Sequence, residues 1–219
     1  NNFFSDDNFV KLLKLYDFKS DDIYNSDDNR DVCTKIVERF CSLIETNHNI
    51  QYAPIGVYYT ALETTNSNLL DVIYNMPEYS ISAKNAQEDQ PISLKEVVAL
   101  NPNTSKTTQN QILRNSKVNE LKFLALNESI NLMIQQKLFE KNIEEISLSL
   151  IKANNYDDSF IDRFLNNQNL KKEFLKKANL TQELFDKLYK DIDDINTIYL
   201  SSNLSLDEEM INKLFERNI

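Results

Sequence analysis

An all-α fold is the expectation for this chain, and three observations carry it. One glycine and four prolines in 219 residues are too few for the tight turns of sandwiches and barrels, or for the glycine-rich loops that cradle phosphate. Apolar residues recur at helical spacing from the first residues onward. The back half also repeats itself about every 26 residues, with Asn101, Asn127, Asn154, Asn179 and Asn203 spaced by 26, 27, 25 and 24. Self-similarity of that length predicts a solenoid of short helix pairs.

The elements follow in order. Phe3 to Phe18 reads as a helix capped by Ser5 or Asp6, with Phe9, Leu12, Leu13 and Tyr16 on one face. A second helix runs from about Asn29 to Thr46 and carries Val32, Ile36, Phe40, Leu43 and Ile44. Pro54 suits the first turn of a third. The fourth spans Ser67 to Asn75 and is stopped by Pro77. The chain thus divides into an N-terminal helical cap region at 1–84, a polar linker at 85–93 and solenoid repeats at 94–219.

Within each repeat a first helix carries an apolar pair: Val97-Val98, Phe123-Leu124, Leu150-Ile151, Phe174-Leu175 and Tyr199-Leu200. The asparagine follows. A helix commonly ends on a left-handed residue, glycine first and asparagine next, so asparagine is expected to end each first helix here. Asn103, Ser129, Thr181 and Ser205 are then expected as N-caps of the second helices, with Ser205 and Glu208 at capping-box spacing. The second helices end in Ile112-Leu113, Leu138-Phe139, Phe164-Leu165, Leu188-Tyr189 and Leu214-Phe215. Glycosylation-type triplets stand at Asn103, Asn127, Asn179 and Asn203, and three of the four arise from the same grammar as a by-product. Glu216 and Arg217 are expected to make the last helix end polar, as a terminal repeat requires.

Residues 97–105 (VVALNPNTS), followed by QILRN at 111–115, resemble the leucine-rich repeat variant family. LKFLALN at 121–127 with Leu138-Phe139, and residues 172–179 with Leu184 and Leu188, are further matches, so the resemblance covers about residues 94–219. Only the first unit keeps the Asn-Pro step of that family. The resemblance implies a right-handed superhelix of paired short helices, α and 3₁₀ alternating, with no shared activity to carry over. It also implies no cofactor here, because Cys33 and Cys41 cannot supply the four thiolates of an iron–sulfur cluster. Armadillo- and HEAT-like arrays are the neighbouring reading, but their units are longer, at roughly 40 residues.

The net charge of −10 and pI near 4.7 set the surface against nucleic acid and anionic lipid and admit a basic partner. No apolar run approaches the ~20 residues that span a bilayer. Reduced cysteines suit a cytoplasmic protein. Asp27, Asn29, Asp31 and Glu38 have the spacing of a calcium loop, but Val32 stands where glycine is needed and Lys35 where an oxygen is needed. A helix start explains these four residues better. His48 is the sole histidine, no nucleophile motif accompanies it, and an enzyme is not expected. The remaining candidate is Lys171, Lys172, Lys176 and Lys177, which flank Phe174-Leu175 and could contact a partner. The function expected is non-catalytic binding of a protein or peptide. A nucleic-acid-binding repeat protein using the lysines is the first alternative, and an enzyme using His48 the second. The partner's identity and the oligomeric state are not readable from the residues.

Overall fold

A computed structural model describes residues 55–76, 93–115, 117–190 and 192–216. The two helices expected before residue 54, the cysteines, the calcium-like loop, His48 and most of the 85–93 linker lie outside the described residues. Among those described, every regular element is helical. The chain divides into two compact units, Asn1–Ser129 and Ile130–Ile219.

The first unit contains α1 (Ile55–Glu63), α2 (Ser67–Asn75), α3 (Leu94–Leu100), α4 (Lys106–Asn115) and α5 (Val118–Leu126). Helix α3 packs on α1 and on α5, while α2 and α4 lie against α3 and α5 respectively. Helices this short are marginal alone, so their stability comes from what they bury. Val57, Leu70, Ile73, Val97, Val98, Ile112 and Leu124 are almost fully removed from water. Ser93 and Glu96 form a reciprocal capping box at the start of α3.

The second unit contains α6 (Leu132–Glu140), α7 (Glu144–Lys152), a 3₁₀ turn (Asp158–Phe160) leading into α8 (Ile161–Leu165), α9 (Gln168–Lys177), α10 (Gln182–Lys190), α11 (Asp194–Ser201) and α12 (Glu208–Glu216). Neighbouring helices again pack in series, α7 on α9 and α9 on α11. Phe164 and Phe174 sit fully buried with ring centroids 5.8 Å apart, and Phe139, Tyr156 and Phe160 pack around them. Aromatic clusters of this kind add stability beyond the area they bury. The 3₁₀ turn is the single such element described, so regular alternation of α and 3₁₀ helices is not what these residues form.

The asparagines do more than end helices, and the expected left-handed conformation holds for one of the five. Asn101 and Asn127 terminate α3 and α5 with φ of −65° and −73°. Among the described residues only Asn142 and Asn154 have positive φ, 54° and 53°. After α7, Asn154 N–H bonds to Ile151 and Asn155 N–H to Leu150, the paired bonds of a Schellman ending.

Elsewhere the asparagine amide is directed into the preceding helix pair. Asn101 Nδ2 lies 2.8, 3.0 and 3.1 Å from the carbonyls of Ala61, Leu62 and Thr64. Asn127 Nδ2 donates to Ala99 (2.9 Å) and Asn101 (2.7 Å). Asn203 Nδ2 donates to Leu175 (2.8 Å) and Ala178 (3.0 Å). In each case Oδ1 accepts the N–H two residues on, from Asn103, Ser129 or Ser205. That bond turns the chain toward the second helix. It moves the N-cap further on than expected: Ser105, Asn131 and Asp207 cap α4, α6 and α12, while Thr181 caps α10 as anticipated. The Ser205–Glu208 box therefore does not form at α12.

These three amides are buried, Asn127 completely. Their engagement makes Asn127 and Asn203 poor acceptors for glycosylation in the folded chain. Asn179 differs: it is exposed, and its backbone N–H instead donates to Asn154 Oδ1 at 2.9 Å. Removing a buried amide strands the groups it served, at about 1–3 kcal/mol each. Asn127→Ala is therefore expected to lower unfolding free energy by roughly 2–4 kcal/mol, and Asn179→Ala by less than about 0.5 kcal/mol. Urea denaturation followed by far-UV circular dichroism separates the two, and equal losses would contradict this assignment.

Candidate functional site

The lysines singled out in the sequence all lie on α9, which Asn167 caps by accepting from the N–H groups of Asn169 and Leu170. Burial of Leu170, Phe174 and Leu175 turns the rest of that helix outward. Lys172 and Lys176, one turn apart, both place their ammonium over the Tyr199 ring of α11, at 5.4 and 5.2 Å from its centre. A cation over an aromatic face is held by the ring quadrupole. Asp193, which caps α11, sits below the usual carboxylate range. The main cause is the Asn196 backbone N–H, then the Asn196 side-chain amide, with Lys171 contributing less. Lys177 is exposed. Two of the four lysines thus have work within the fold, and the four do not form one uncommitted cluster.

The aromatics separate equally clearly. Phe160, Phe164, Phe174 and Phe185 are core, and Tyr156, Tyr189 and Tyr199 are half-buried. Phe215 is 75% exposed. It is the second residue of an apolar pair whose earlier counterparts Leu113 and Phe139 are buried. Of the polar helix end expected from Glu216 and Arg217, Glu216 is exposed and Arg217 lies outside the described residues.

Phe215 belongs to a groove of about 240 Å³ between α11 and α12, lined also by Thr197, Ile198, Ser201, Leu206, Ile211 and Leu214. Ile198 is 57% exposed, and Ile195, one turn before it, 67%. Isolated exposed apolar residues are ordinary; here several gather along one groove. The sequence carried a signal for it. Ile195 and Ile198 stand outside the Tyr199-Leu200 pair, so α11 has apolar residues on two sides.

The groove has an acidic surround. Residues 193–216 contain six carboxylates and one lysine. That lysine, Lys213, is turned away onto Asp186 (2.9 Å) and Glu209 (3.1 Å). Asp194 is one turn before Ile198, Glu208 one turn before Ile211, and Glu216 adjoins Phe215; all three are exposed.

Among the described residues no three His, Cys, Asp or Glu side chains gather as a metal-binding group, and no helix is long and apolar enough to cross a membrane. Comparison with protein-family models, curated proteins and solved structures finds no match to this chain.

One titration is displaced far enough to test. Tyr156 donates its hydroxyl to Asn154 Oδ1 at 3.2 Å, and burial, with Asp158 adding to it, pushes the phenol from 10.0 up to about 12. The folded chain then holds this proton more tightly than the unfolded chain. The resulting stability is fully present below about pH 10 and is lost as pH rises toward about 12. Thermal melts across that window are expected to fall more steeply for the natural protein than for Tyr156→Phe. Identical slopes would refute the shift.

Proposed function

We propose that this chain is a non-catalytic helical-repeat module that binds a protein or peptide. In this reading its helix pairs, repeating about every 26 residues, wind as a right-handed α-solenoid akin to the leucine-rich repeat variant family. The observation that carries the proposal is the open apolar groove of α11 and α12 at the end of a series of helices packed on their neighbours. Serial packing satisfies each pair through the adjacent pair and gives a surface for holding partners. The displaced titrations support the same reading. Asp157 caps the 3₁₀ turn, Asp193 caps α11, and Asp186 and Lys213 pair with one another. Each has a structural partner, in contrast to a general acid or base awaiting substrate.

Nucleic-acid binding by the α9 lysines is the second reading. It is weakened by the seating of Lys172 and Lys176 on Tyr199. Affinity capture from the native lysate, with and without nuclease, decides between them. Protein partners are expected to survive nuclease, and to survive changing Lys171, Lys172, Lys176 and Lys177 to Glu. Capture that vanishes with nuclease, and weakens steeply with salt, would establish the rival.

A further inference from the structure

We infer that the α11–α12 groove takes an amphipathic helix whose apolar stripe is flanked by Lys or Arg, supplied by a different protein. The inference rests on the binding role proposed above and specifies the chemistry of the partner at that site. The groove's shape is the first ground. Ile198 and Ser201 on one wall, and Ile211 and Phe215 on the other, present side chains at successive helical turns. A helix bearing apolar residues at the same rhythm interdigitates with such walls. No strand edge among the described residues offers an extended peptide a backbone ladder.

Charge selects among possible helices. Asp194, Glu208 and Glu216 surround the apolar walls, and the one lysine in this stretch is already committed to Asp186 and Glu209. The fold shows how it satisfies such acids internally. Lys187 of α10 reaches back to Asp162 of α8 at 3.4 Å, and Lys213 of α12 reaches back to Asp186 of α10 at 2.9 Å. Each time the earlier helix supplies the carboxylate and the later one the cation. Asp194, Glu208 and Glu216 are exposed carboxylates of α11 and α12, so whatever covers the groove is expected to bring the cations.

The same comparison argues against two other occupants. Asp162 and Asp186 each precede a cation, Arg163 and Lys187, but before Lys213 the residue is Asn212. The carboxylate that a further repeat of this pattern would reach for is missing. A second copy docking by the same face would bring acidic surrounds together, which like-charge repulsion opposes.

The test uses the whole chain and a fluorescein-labelled Leu/Lys amphipathic helical peptide of about 15 residues, beside an otherwise identical peptide with Glu in place of Lys. Fluorescence anisotropy should show saturable one-to-one binding of the Lys peptide and none of the Glu peptide. Ile198→Asp and Phe215→Ser should each weaken binding about tenfold or more, the usual loss when an interface anchor is removed. Both side chains are mostly exposed, so circular dichroism and melting should stay unchanged.

Ile198→Asp also makes the protein more acidic. Purely electrostatic attraction would therefore strengthen with that variant, which separates a docking groove from a charged surface. Equal affinity for both peptides, or affinity within twofold of the natural protein in both variants, would overturn the inference. So would a concentration-dependent doubling of mass that Ile198→Asp abolishes, since a second copy would then be the occupant. If the peptide fails while nuclease-resistant protein partners are still captured, the basic-helix assignment alone is lost.

Discussion

Short helices have many ends, and each C-terminal end leaves four carbonyls without an intrahelical partner. The buried asparagine amide is this chain's answer, and the rest of the structure depends on it. Asn101, Asn127 and Asn203 direct Nδ2 onto carbonyls at the end of an earlier first helix, while Oδ1 turns their own chain through the N–H two residues on. One side chain thus ends a helix, starts a turn and ties a pair to its predecessor. A left-handed glycine could do only the first of these. The near absence of glycine and the conformations of Asn101 and Asn127 have the same cause: the position needs an amide as well as a backbone bend.

Fastening each pair to its predecessor gives the packing a direction. In these contacts the later element supplies the donor: the amides of Asn101, Asn127 and Asn203 at the helix ends, and the ammonium groups of Lys187 and Lys213 in the α8, α10 and α12 layer. The exposed ion pairs of that layer add little stability singly, but they mark which chemistry faces forward and which faces back. The forward surface left by the last described pair holds carboxylates and apolar side chains. For that reason the groove of α11 and α12 carries apolar side chains that no other described helix covers.

Much of this was legible in the residues, and the failures were specific. The apolar pairs marked the cores of both helix types, and α2 was located by its pattern and its proline stop. The four lysines were visible as a cluster, yet the placement of Lys172 and Lys176 over Tyr199 depended on where α11 came to lie. Asparagines that look alike in the repeat took three roles. Asn127 is sealed into the core, Asn154 takes the left-handed turn, and Asn179 stands in solvent. Spacing along the chain cannot distinguish them, because the choice depends on which carbonyls the neighbouring pair leaves within reach.

The sequence by itself determined the helical class and most of the apolar positions that pack, because periodicity and glycine scarcity are local properties of the chain. Only the tertiary structure decided which asparagine bonds to which carbonyl, which lysines are committed, and that Phe215 and Ile198 line one open groove. Those are distances between residues far apart in the chain. Burial of a side chain is decided by what lies opposite it, and nothing in the order of the residues states what that is.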